Sequence, residues 1–195
     1  MLNELLESKV VAILRGIRPE EAIPFCEILV EEGVRFPEIP LNTPDALQMI
    51  AALAEHFRNT GVHVGAGTVL SPEAVEQAHR AGAEYIISPN TNPAVIRRTV
   101  ELGMLSMPGV CTPTEAFAAQ EAGAHVLKLF PCGTPREIGI LKSVVSQPVF
   151  AVGGIDADNK DSYLAVADGV GVGIGIFRPG IDAAELRRNI RKFMR

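Results

Sequence analysis

The sequence predicts an α/β protein, a small (β/α)8 barrel, on three observations. Short apolar runs rich in Val and Ile alternate with longer amphipathic segments from end to end. Runs this apolar suit strands buried on both faces, as parallel sheets require. Glycines closing three successive helical stretches (Gly82, Gly103 and Gly123) recur about every 20 residues, close to the shortest practical βα unit. Finally, the runs number eight. A doubly wound open sheet of the flavodoxin type would need only about five of them. The count therefore favours the barrel, although 195 residues lies at the low end for that fold.

The strand runs, in order, begin with VVAIL (Val10 to Leu14), FPEIPL (Phe36 to Leu41), VHVGAGTV (Val62 to Val69) and YIIS (Tyr85 to Ser88). They continue as LSMPGV (Leu105 to Val110), VLKLF (Val126 to Phe130), VFAVGGI (Val149 to Ile155) and VGVGIGIF (Val170 to Phe177). Between them lie helical stretches such as PEEAIPFCEILVEEG and SPEAVEQAHRAG. Most open on a capping side chain followed by proline, as at Thr43-Pro44, Ser71-Pro72 and Asn92-Pro93. Several close on a glycine just before the next strand, Gly33 being the first.

Composition narrows the function classes. Hydrophobic residues make up 47% and charged residues 21%, the balance of an ordinary globular protein, which excludes disorder for the bulk of the chain. No linker or charge block divides it, so residues 1–195 are read as one domain. A net charge of −5 offers no general attraction to nucleic acid or to an anionic membrane. An anionic small molecule would need a few locally placed cations. Cys26, Cys111 and Cys132 form no CxxC or CxxxH pattern, so they are read as free thiols in a reducing cytoplasm. The opening MLNELLESKVVAIL is acidic where a signal peptide is basic, and its apolar run is short.

In a barrel, functional side chains come from the C-terminal strand ends and the loops that follow. Lys128 interrupts the apolar run VLKLF, and strand alternation puts it on one face with Phe130. A lysine is almost never buried without a partner or a purpose. It is either half of a structural ion pair or an amine whose pKa falls on desolvation, ready to attack a carbonyl. Glu38 interrupts FPEIPL in the same way and is either a structural partner or a proton shuttle. Arg15 follows the first run at its mouth, as a solvated cation or an anion ligand that disfavours a second charge on Lys128. Gly153-Gly154 after the seventh run, with Gly173 and Gly175 in the eighth, suit a backbone phosphate site. Thr68 leaves the third run beside the same mouth. The four histidines, with no HxH and no acidic cluster, suggest no metal site.

The motifs ILRGI, EIPLNTP, GAGTVL, SPN followed by VIRR, PG before TPTEAF, LKLFP and FAVGG occur in an order that resembles the 2-keto-3-deoxy-phosphosugar aldolases. The resemblance runs over nearly the whole chain. With Asn42, EIPLN looks more like the 6-phosphogalactonate branch than the phosphogluconate branch, which usually has arginine there. It implies a class I lyase without cofactor or metal, in which Lys128 forms a Schiff base with a 2-keto acid and Glu38 is the general acid/base. By the same resemblance Arg15, Thr68, Pro89, Phe130 and Asn42 would hold the pyruvyl part and shape the pocket, and the enzyme would be a homotrimer. Gly153, Gly154, Gly175 and Ile176 would surround the phosphate. Ile176 stands where the family carries a phosphate-binding serine, and the loops GIGIFRPG and PCGTPREIG are short. A non-phosphorylated 2-keto-4-hydroxy acid is therefore the alternative substrate. A phosphosugar isomerase or a non-catalytic phosphate-binding barrel would explain the glycines but leave Lys128 and Glu38 without roles.

Overall fold

The Val- and Ile-rich runs pair edge to edge, and all of them pair in parallel. In the computed structural model, which describes residues 1–195, they form β1 (Val10–Ile13), β2 (Pro37–Pro40), β3 (Gly65–Gly67), β4 (Tyr85–Ile87) and β5 (Leu105–Met107). The rest are β6 (Gly109–Val110), β7 (Leu127–Leu129), β8 (Val149–Val152) and β9 (Gly169–Val172). Their order is β5-β4-β3-β2-β1-β9-β8-β7-β6. The two outermost strands, β5 and β6, are halves of one run joined through Pro108, so the ring closes through the chain itself. The predicted (β/α)8 barrel is the observed architecture, with its fifth strand broken.

The break has a local cause. Pro108 has no N–H to give a ladder, and its carbonyl accepts instead from the Lys128 N–H at 2.9 Å. Gly109 passes so close to the Pro89 carbonyl that a Cβ there would collide with it. The chain thus changes partners at Pro108, from β4 before it to β7 after it.

The helices are α1 (Leu2–Ser8), α2 (Pro19–Glu31), α3 (Ala46–His56), α4 (Pro72–Arg80), α5 (Pro93–Glu101), α6 (Pro113–Glu121), α7 (Pro135–Lys142), α8 (Lys160–Leu164) and α9 (Ala183–Met194). Ser71 and Asn92 cap α4 and α5 as expected, each accepting an N–H of the first turn. Gly33, Gly82, Gly103 and Gly123 all take positive φ, the left-handed turn that ends a helix. Thr43 departs from the expectation. The helix after it starts only at Ala46, because the Thr43 hydroxyl is taken by the Gly16 N–H at 3.0 Å.

Two cores follow. One lies between the strands and the helices. The other fills the barrel's N-terminal end with Phe36, Tyr85, Leu105, Val126 and Phe150, closed from below by Leu5 of α1. Gly65 leaves the space that the Tyr85 ring occupies, and Gly169 does the same for Phe150. The Tyr85 hydroxyl, buried among apolar groups, donates to the Pro37 carbonyl at 2.9 Å. Above this floor the interior turns polar. No helix is long and apolar enough to cross a membrane.

Candidate active site

Strand alternation fixes Lys128. Leu127 and Leu129 join the core under the helices, so Lys128 between them points inward, 6% exposed. Its Nζ sits 4.6 Å from the centroid of the Phe130 ring, on the same face, as expected. Glu38 projects inward from β2 and is 1% exposed. Its carboxylate lies over Gly67, in space that any Cβ at that position would fill. Oε2 of Glu38 is buried and has no hydrogen-bond partner. A buried carboxylate oxygen left free in an active-site mouth is available to a substrate proton.

The electrostatics follow from burial. Desolvation pulls the Lys128 amine below the ordinary lysine range. The Arg15 guanidinium pushes it the same way, while Glu38 opposes both. Burial likewise raises the Glu38 carboxyl, against the pull of Lys128 and Arg15. Each shift favours the neutral form, which is the form of the amine that attacks a carbonyl and of the acid that gives up a proton.

Arg15 sits at the mouth after β1. It donates to Oδ1 of Asn42, and both of its terminal nitrogens reach Oγ1 of Thr68 at 3.4 Å. Thr68 holds this place with φ of 55°, unusual for a β-branched residue and of the kind that clusters at functional sites. Beside Arg15 and Phe130 opens a cavity of about 770 Å³, walled by Gly153, Gly154, Gly173 and Gly175. No group of the protein accepts from the N–H groups of Gly153, Gly154, Gly173, Ile174 or Gly175. Such uncommitted amides suit an anion.

One expectation needs correcting. Ile176 does not face the cavity: β9 ends at Val172, and the following turn buries the Ile176 side chain in the outer core and commits its N–H to the Gly173 carbonyl at 2.9 Å. Pro89 packs its carbonyl against Gly109 and, like Lys128, Glu38 and Thr68, is not among the residues that wall this cavity. Asn42 meets Arg15 at the same mouth through its amide oxygen. The Arg178 guanidinium, further along the chain, pairs with Glu185 at 2.8 Å. Two features were not foreseen. Gly67 makes the room for Glu38, and the Cys132 thiol donates to the Gly153 carbonyl at 2.6 Å, bracing the glycine turn. A glycine's absent side chain leaves no sequence signal beyond the GAG spelling itself.

Residues 1–186 match the profile of the KDPG and KHG aldolase family. The 2-dehydro-3-deoxy-6-phosphogalactonate aldolase of Escherichia coli strain K12 is 42% identical over 87% of this chain and 85% of its own. A solved structure described as native KDPGal superposes with a TM-score of 0.91 at 39% identity, covering 94% of this chain and 91% of that one. A cube-shaped protein cage designed by fusing symmetric oligomeric domains matches with the same TM-score and identity, over 95% of this chain and 70% of that one.

Proposed function

The chain belongs to the KDPG and KHG aldolase family, and we propose from that premise how its own residues carry out class I aldol cleavage. The substrate is a 2-keto-3-deoxy-6-phospho sugar acid of the phosphogalactonate or phosphogluconate type, and the products are pyruvate and glyceraldehyde 3-phosphate. The observation that carries the reading is a buried lysine facing a buried glutamate at the C-terminal mouth of the barrel.

Neutral Nζ of Lys128 attacks the C2 carbonyl and gives a carbinolamine. Glu38 supplies the proton with which water leaves, forming the iminium. The Glu38 carboxylate then takes the C4 hydroxyl proton, and the C3–C4 bond breaks with its electrons flowing into the iminium. The aldehyde departs and an enamine remains. Protonation at C3 and hydrolysis return pyruvate and the free amine. Arg15 pairs with the substrate carboxylate, with Thr68 beside it, and Phe130 walls the reacting carbon. The amides of Gly153, Gly154 and Gly175 take the phosphate. The phosphate site would work through backbone N–H groups alone.

Residues 1–195 would act as one aldolase domain in the cytoplasm, where the three free cysteines remain reduced. We further propose a homotrimer. Its support is a groove of about 470 Å³ between α6 and α7, flanked by exposed Phe117, Ile140 and Val144, together with the symmetric assembly of the cage relative. Pyruvate release from the C4 epimers, 2-keto-3-deoxy-6-phosphogalactonate and -gluconate, coupled to lactate dehydrogenase tests the activity. Turnover of at least one, lost in Lys128→Ala, is expected. No turnover of either by folded protein would overturn the proposed substrate class.

A further inference from the structure

The loops after β1 and β2 are joined at two successive residues. Asn42 Oδ1 accepts from Nη1 of Arg15, and the Thr43 hydroxyl, buried, accepts from the N–H of Gly16. The loop after β3 supplies the third tie, from Thr68 to both terminal nitrogens of the same guanidinium. Arg15 therefore carries side-chain contacts from two neighbouring loops, and both acceptors are neutral. No carboxylate of the protein forms an ion pair with it.

This choice of acceptors has a chemical meaning. An arginine alone at a barrel mouth keeps many rotamers, and ordering it on binding costs free energy that weakens affinity. An Asp or Glu partner would order it, but would also cancel the charge a carboxylate ligand needs. An amide oxygen orders the guanidinium and leaves its charge intact.

We infer that Asn42 is a positioning residue: it does not touch the substrate but holds Arg15 over Thr68, aimed and unneutralised, for the substrate carboxylate. The inference rests on the proposed role of Arg15 in binding the pyruvyl carboxylate. It accounts for a side chain at the mouth whose amide oxygen is committed to the Arg15 guanidinium. It also links Asn42 to the amine, because the charged groups facing Lys128 are Glu38 on β2 and Arg15 after β1. Loosening Arg15 removes part of the repulsion that keeps Lys128 neutral.

The test uses pyruvate alone, whose methyl protons exchange with D2O when the Lys128 enamine forms and reverts. Exchange is followed by proton NMR for wild type, Asn42→Ala, Arg15→Ala and the double variant. With Asn42→Ala, KM for pyruvate should rise about tenfold while the maximal exchange rate stays within about threefold, the size of one hydrogen bond to a charged group. In the Arg15→Ala background the same change should alter KM by less than about twofold. The pH midpoint of exchange should move upward in Asn42→Ala. If the two substitutions multiply, Asn42 acts on the substrate directly and the inference fails. It fails equally if Asn42→Ala leaves KM unchanged. Wild-type protein that exchanges nothing would instead defeat the aldolase roles themselves, an outcome distinct from either.

Discussion

Gly65 and Gly67 lie two residues apart on one strand, and each exists to make room for a neighbour, yet the two spaces serve opposite ends. The Gly65 space holds the Tyr85 ring, part of the apolar floor sealed by Leu5. The Gly67 space holds the Glu38 carboxylate, part of the charged layer with Lys128 and Arg15. The polar member of the floor cluster, Tyr85, has its partner: its hydroxyl donates to Pro37. The layer above it is left unsatisfied, with a carboxylate oxygen free and a lysine short of solvent. A barrel interior thus stores stability at one end and reactivity at the other, and a step of two residues along β3 passes between them.

Several substitutions would break or sharpen that contrast. Lys128→Ala should cost at least about 10³-fold in turnover, as loss of a covalent nucleophile does, while the protein stays folded. Gly67→Ala should cost about 10²-fold, because its methyl displaces the Glu38 carboxylate from reacting distance. Steady-state kinetics with a thermal melt on each variant would check both. The pH profile comes next. Below its lowered pKa Lys128 takes up a proton and loses its nucleophilic lone pair, so kcat/KM should fall about tenfold per pH unit on the acid side. Because burial, with help from Arg15 and against Glu38, depresses this pKa, the midpoint should lie below that of an ordinary lysine and move upward in Arg15→Gln. An acid limb centred on the ordinary lysine value would count against a desolvated amine.

Gly65→Ala should behave in the reverse sense to Gly67→Ala. Overpacking against Tyr85 should remove about 1–3 kcal/mol of stability in a urea titration, with turnover per folded molecule kept within about threefold. If both alanines damaged stability and activity alike, the division between floor and mouth would be lost. The smallest effect is expected for Arg178→Ala. Its guanidinium is engaged by Glu185 outside the cavity, so KM for the phosphorylated substrate should change less than about twofold. A larger rise would show that Arg178 leaves Glu185 to bind phosphate.

What was legible in the sequence follows the same physical line. Lys128 and Glu38 announced themselves because a charge inside an apolar strand violates the pattern around it. Helix ends marked by glycine were equally plain. Features that depend on distant partners were not. Thr43 looks like a helix cap until Gly16 claims its hydroxyl, and the run LSMPGV looks continuous until its two halves pair with different strands. Ile176 reads as part of a strand ending at a phosphate site, but a turn through the Gly173 carbonyl carries it into the core. Each of these depends on what lies opposite in space, and spacing along the chain does not encode that.

The central claim, a desolvated Lys128 that forms a Schiff base, is tested most directly by borohydride reduction in the presence of pyruvate, with intact mass and peptide mapping. One reduced pyruvyl adduct per chain is expected, on the peptide carrying Lys128, and none in Lys128→Ala. Folded wild-type protein without an adduct, or with one spread over surface lysines, would contradict it.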